Sequence, residues 1–125
     1  MFVKYNKNPH GTRVGDCVIR AISTALDREW EDVYVDLADK GLEIGDMPSS
    51  NVVWGTYLYE QGFDVATLPN FCPDCYTVKE FARKHPKGTY ILGTGSHVVA
   101  VIDGDYIDTW NSGDEPVIYY FTKEV

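Results

Sequence analysis

Apolar residues recur along this chain at two different periods, and the change of period divides it. Over its first half the spacing is helical. Val18, Ile22, Ala25 and Leu26 share one face of a helix expected from Cys17 to about Leu26, with Asp16 in the N-cap position. Trp30, Val33, Tyr34, Leu37 and Ala38 fall at i, i+3, i+4, i+7 and i+8. They predict a second helix over about Glu29 to Lys40, ended by Gly41. After a loop through Gly45 and Pro48, Ser49 or Ser50 caps a third helix to about Gln61, stopped by Gly62, with Trp54, Tyr57 and Leu58 facing inward. Phe63 to Leu68 reads as a short strand. Thr77-x-x-Glu80 is a capping-box pattern opening a short helix to about Lys84, which His85-Pro86 closes.

From residue 88 the pattern becomes that of strands. Thr89–Leu92, His97–Ile102, Tyr106–Trp110 and Val117–Phe121 are rich in β-branched and aromatic residues. Asp103-Gly104 or Gly104-Asp105 makes a tight hairpin between the second and third of them. Helices first and an antiparallel sheet last is an α+β pattern. A chain of 125 residues suits one domain spanning 1–125.

Composition narrows the function classes. With 44% hydrophobic and 24% charged residues the chain has a globular balance. The formal net charge of -8 argues against a nucleic-acid surface, which would need a basic patch. No apolar run approaches the ~20 residues of a membrane span. The N-terminus lacks the charged and apolar regions of a secretory signal, so the expectation is a complete, cytoplasmic protein without a membrane partner. Three cysteines cannot form a full disulfide framework and are expected as free thiols.

One thiol stands apart. Cys17 opens a helix, whose N-terminus carries roughly half a positive charge and unpaired N–H groups that favour a thiolate. Eighty residues on, His97 begins a strand after the small residues Gly93, Gly95 and Ser96. A thiolate with a nearby imidazole is an activated nucleophile, and the imidazole needs a third group to hold its ring. The hairpin supplies two candidates. If Asp103-Gly104 form the turn, His97 lies opposite Trp110; if Gly104-Asp105 do, it lies opposite Ser112. Either way Asn111 falls within one residue of His97 and is the first choice. Asp108 falls two to four residues along, roughly 7–13 Å, and is the reserve.

In this order of residues the chain resembles the papain-like cysteine peptidase superfamily. Tyr106-x4-Asn111-Ser112, downstream of a His on a hydrophobic strand, looks like the family's His-to-Asn-Ser hairpin, and Cys17 matches its nucleophile. Arg13-Val14-Gly15-Asp16-Cys17-Val18-Ile19-Arg20-Ala21 and Ser96-His97-Val98-Val99-Ala100-Val101 resemble small cysteine-peptidase-like proteins of phages and prophages, related to bacteriocin-leader-processing peptidases. The resemblance implies a minimal papain-like domain, a Cys-His-Asn/Asp triad and a peptide or protein substrate, with no cofactor and no metal. Papain's Gln six residues before the nucleophile is Gly11 here. The backbone N–H of Cys17 is then one oxyanion donor, with Asn8 preferred to Asn6 as the second.

Other readings remain. Taken alone, Cys17 reads as a buried structural thiol, and the downstream His hairpin is what turns the reading toward a nucleophile. A catalytically silent papain-like module that recognises a host or phage protein fits the missing Gln. Cys72-Pro73-Asp74-Cys75 lacks the second pair of a zinc site and the βαβ context of a redox pair, and reads as a loop with two free thiols.

Overall fold

The computed structural model describes residues 1–12, 14–68 and 76–123. Among the described residues, four helices and a mixed six-stranded sheet, with a second two-stranded sheet, make an α+β fold. In chain order the elements are β1 (Phe2–Lys4), α1 (Cys17–Leu26), α2 (Trp30–Ile44), α3 (Asn51–Glu60), β2 (Asp64–Thr67), β3 (Tyr76–Thr77) and α4 (Val78–Lys84). Then follow β4 (Thr89–Gly93), β5 (Val98–Ile102), β6 (Asp105–Asp108), β7 (Pro116–Val117) and β8 (Tyr119–Thr122). The main sheet runs β1-β6-β5-β4-β8-β2, and β3 pairs with β7.

The unbroken apolar run of β5 is explained by burial on both faces. Val98 and Ala100 pack with Val18, Ile22, Trp54 and Phe121. Val99 and Val101 pack with Val78, Phe81 and Tyr106. Alternate residues of one strand thus anchor α1–α3 on one side and α4 on the other. The β5–β6 hairpin turns on Asp103 (φ 49°) and Gly104 (φ 85°), the paired left-handed residues of a type I′ turn. Ile102 faces Asp105 and Ala100 faces Ile107, the first of the two registers considered above.

Three expectations are corrected. The sheet is not wholly antiparallel: β1 runs parallel to β6, Phe2 against Tyr106 and Lys4 against Asp108. A three-residue strand has too few positions to show a period. Gly41 does not end α2, which continues to Ile44 and stops at Gly45 in a left-handed conformation (φ 87°). Gly41 is there because the chain folds back on it: a methyl group at this position would meet the Asp46 carbonyl oxygen at 2.7 Å. In the α2 stripe Val33 and Leu37 are buried but Tyr34 is exposed. The capping box of α4 is formed, with the Thr77 side chain and the Glu80 backbone and carboxylate bonded reciprocally.

These contacts fix the sign of two similar substitutions. Replacing glycine by alanine inside an exposed helix normally stabilises by about 1 kcal/mol. Gly55→Ala in α3 gains this, because the nearest atom of Phe121 stands at an ordinary 3.8 Å. Gly41→Ala meets immovable backbone and lowers stability by about 1 kcal/mol net, the overpacking cost exceeding the propensity gain. Urea unfolding of the two variants checks the opposite signs.

Candidate active site

The site starts from an N-cap residue that does not cap. Asp16 precedes α1, yet its carboxylate accepts no bond from the helix N–H groups. Its oxygens accept instead from the Arg20 guanidinium, from Trp30 Nε1 at 3.1 Å and from Asn8 Nδ2 at 3.2 Å. The first turn of α1 therefore keeps its unpaired N–H groups, with the Cys17 side chain beside them. Cys17 is a partly exposed free thiol. It lines a cavity of about 210 Å³ together with Ser49, Asn51, His97 and Tyr119.

His97 is brought to it by the short connection from β4 to β5. Thr94 N–H donates to the His97 carbonyl at 2.9 Å, and Gly95 takes the left-handed conformation that closes the loop (φ 95°). Because α1 packs along β5, the loop at the head of β5 meets the head of α1. Cys17, His97 and Val98 line the same cavity, and the imidazole and the Val98 N–H lie close enough to the sulfur to favour its charged form. The far ring nitrogen, Nε2, lies 2.6 Å from Asp108 Oδ2, which leaves Nδ1 for the sulfur. The imidazole is only 9% exposed, and the Trp110 ring lies against it at 4.9 Å between centroids.

These contacts set the charges. Burial alone would push the His97 pKa down. The hydrogen bonds to Asp108 and Cys17, with the charges of both, outweigh it and raise the value from 6.5 to about 9. Burial likewise pushes the Cys17 thiol up. The bonds from His97 and Val98 and the charges of His97 and Arg20 reverse that, leaving the thiol below its ordinary 9.0. Both shifts favour thiolate and imidazolium over the neutral pair, the charge state in which a sulfur can act as nucleophile and an imidazole as proton donor.

Asp108, the reserve candidate, holds the ring. Its carboxylate is buried and fully engaged. Oδ2 also accepts from Ser112 Oγ at 2.7 Å, and Oδ1 accepts from Thr109 N–H at 2.8 Å with Arg20 Nη2 at 3.8 Å. In the observed register Asp108 is a diagonal neighbour of His97 across the hairpin, a separation an imidazole spans. Asn111 is not brought to His97, a correction with a local cause. The ladder ends at Asp108, and Asn111 Oδ1 closes a turn, accepting from Gly113 N–H at 3.0 Å and Tyr106 Oη at 2.9 Å.

Asn8 is corrected in the same way. It is buried, and its Nδ2 group donates to Asp16 and to Thr12 Oγ1 at 3.3 Å, so neither amide hydrogen is left for an oxyanion. Sequence reasoning missed Arg20, Ser112, Asn51 and Tyr119. Arg20 had a signal, since it stands one helical turn from Cys17; the others reach the site only through tertiary packing. Cys72 and Cys75 lie outside the described residues. Among the described residues no group of three His, Cys, Asp or Glu is arranged to hold a metal ion. Comparison with protein-family models, curated proteins and solved structures gives no match.

Two predictions follow from the charges. Stability gained from the raised His97 pKa is complete below pH 6.5 and is lost as pH rises through about 9. The contribution of Cys17, whose pKa is lowered, is lost instead as pH falls through that value. Because the two contributions oppose each other, urea midpoints of wild type should change little between pH 6.5 and about 9, whereas Cys17→Ala, which keeps only the His97 contribution, should lose stability over the same range. Arg20→Met strands two buried carboxylates and should cost about 3 kcal/mol. Arg20→Lys, which cannot fork to both, should recover less than half. In either variant the Cys17 thiol should titrate at higher pH, read by its alkylation rate.

Proposed function

We propose that this chain is a cysteine hydrolase that cleaves peptide, isopeptide or related amide bonds through Cys17, His97 and Asp108. The observation that carries the reading is that Cys17, at a helix N-terminus, shares a cavity wall with an imidazole seated at 2.6 Å on a buried carboxylate. A purely structural thiol has no use for such a partner.

The Cys17 thiolate adds to the substrate carbonyl carbon. The oxyanion that forms meets the Cys17 backbone N–H. On the cavity wall the Asn51 amide is the second donor. Its Oδ1 is occupied by Trp54 Nε1 at 3.0 Å, which leaves Nδ2 to donate. The intermediate collapses, the C–N bond breaks, and His97 gives its proton to the departing amine. A thioester on Cys17 remains. Neutral His97 then takes a proton from water, the hydroxide adds to the thioester, and the acid and thiolate are released. Asp108 keeps Nε2 protonated and the ring turned toward the sulfur, without itself taking the proton. Trp110 shields the His97–Asp108 bond from water. The papain-like architecture suggested by the sequence accords with this site. The formal net charge of -8 accords with action on a peptide or protein rather than on nucleic acid; among the described residues no helix is long and apolar enough to cross a membrane.

Incubation with p-nitrophenyl acetate should give a burst of nitrophenolate stoichiometric with protein, and mass spectrometry should place the acetyl group on Cys17. Cys17→Ala should abolish the burst. His97→Ala should slow it by about 100-fold or more and Asp108→Ala by at least 10-fold, the range of general acid–base contributions. Asn111→Ala should leave the rate within about threefold, since Asn111 serves the turn. Equal, slow labelling of all three thiols, unaffected by His97→Ala, would instead favour the silent binding module.

A further inference from the structure

A second hollow lies beside the catalytic cavity, between α3 and the edge strand β2. Its volume is about 460 Å³. One wall is a single face of α3, from Asn51 and Val52 through Gly55 to Tyr59. Val65 forms part of the opposite wall, and Phe121 of β8 is its floor. Val52, Tyr59 and Val65 are large apolar side chains 60%, 72% and 60% exposed, gathered at this one place. Scattered apolar residues on a surface are ordinary; several around one hollow mark a binding groove.

The groove joins the catalytic cavity. Asn51 lines both. Their floors are one aromatic surface: Tyr119, which lines the cavity, and Phe121, which floors the groove, both pack against Trp54, at 6.1 and 5.2 Å. Helix α3 therefore begins at the sulfur and leads away from it. From Asn51 to Tyr59 the helical rise covers about 12 Å, the length of three to four extended residues. Direction follows from the chemistry. His97 protonates the leaving amine, so the part of the substrate beyond the scissile bond lies on the side of His97 and Trp110. The groove lies across β4 and β8 from them, next to β2. It is the acyl side.

We infer that the groove between α3 and β2 binds an apolar segment of the substrate on the acyl side of the scissile bond, so that the enzyme selects chains with bulky aliphatic or aromatic residues in the few positions before the cleaved carbonyl. The inference rests on the hydrolase reading above and adds specificity to it. Asp64, at the far end of the groove, gives it a polar limit. The cavity around Cys17 is small, and the open space for bulky side chains lies along α3.

The test compares two charge-neutral probes that differ only in the acyl-side residues: acetyl-Leu-Leu-Leu-Ala chloromethyl ketone and its acetyl-Gln-Gln-Gln-Ala counterpart. In each the Cys17 thiolate displaces chloride and forms a thioether. Rates are normalised to iodoacetamide, a reagent too small to use the groove. Wild type should react at least 10-fold faster with the leucine probe. Gly55→Phe, which fills the floor, should reduce that preference to threefold or less. So should the double change Val52→Asn with Val65→Asn, which alters only exposed side chains and keeps the test valid if Gly55→Phe fails to fold. A wild-type preference below threefold, or one that survives in the double variant, overturns the inference while leaving the hydrolase reading intact. Iodoacetamide labelling of Cys17 that ignores His97→Ala would remove the hydrolase reading, and this inference with it.

Discussion

The structure depends on the seating of α1 along β5. Ile22 and Val18 on one side, and Val98 and Ala100 on the other, close a dry interface that joins the front of the chain to its back. The hydrophobic effect supplies the adhesion and has no direction of its own. Direction comes from the ends of the two elements. Cys17 is the first residue of α1 and His97 immediately precedes β5, so packing the elements brings sulfur and imidazole together. A guanidinium then fixes the relation. Arg20 reaches Asp16 at the head of α1 and Asp108 on β6, tying together the parts that hold the thiol and the imidazole. The chain leaving β1 holds the backbone of the same residue, with Tyr5 N–H donating to the Asp108 main-chain carbonyl at 2.9 Å.

Two buried carboxylates near one site would ordinarily be costly. Here each is surrounded by donors: Arg20, Trp30 and Asn8 around Asp16, and His97, Ser112, Thr109 and Arg20 around Asp108. No buried side-chain polar atom among the described residues lacks a partner. The arrangement leaves positive charge facing the sulfur from both His97 and Arg20, with the Tyr119 ring on the cavity wall. Burial and the Cys17 charge raise the Tyr119 pKa, which keeps its hydroxyl a proton-bearing neighbour of the thiolate.

The sequence disclosed what depends on local period. Helices α1 and α3, the capping box of α4 and a tight turn at Gly104 between β5 and β6 follow from spacing and turn chemistry, while the choice between the two registers came from the fold. The pairing of Cys17 with His97 was legible because each residue lies at the end of a strongly patterned element. The third member of the site was misread, since extending the ladder past Asp108 assumed a strand where the chain turns. Asn111 has a better local use for its side chain, in the turn to Gly113, and Asn8 is spent on Asp16. The parallel strand β1, the fold-back over Gly41 and the groove along α3 arise from contacts between distant segments, and no periodicity announces them.

The central claim is that His97 is an imidazolium at neutral pH, held so by Asp108 on one nitrogen and the Cys17 thiolate on the other. Nitrogen-15 NMR of the His97 ring measures this directly. The account expects both ring nitrogens to carry protons at pH 7 and to titrate together near pH 9, with the titration moving to lower pH in Cys17→Ala. A neutral ring at pH 7, titrating near 6.5 and indifferent to the loss of the sulfur, would contradict it.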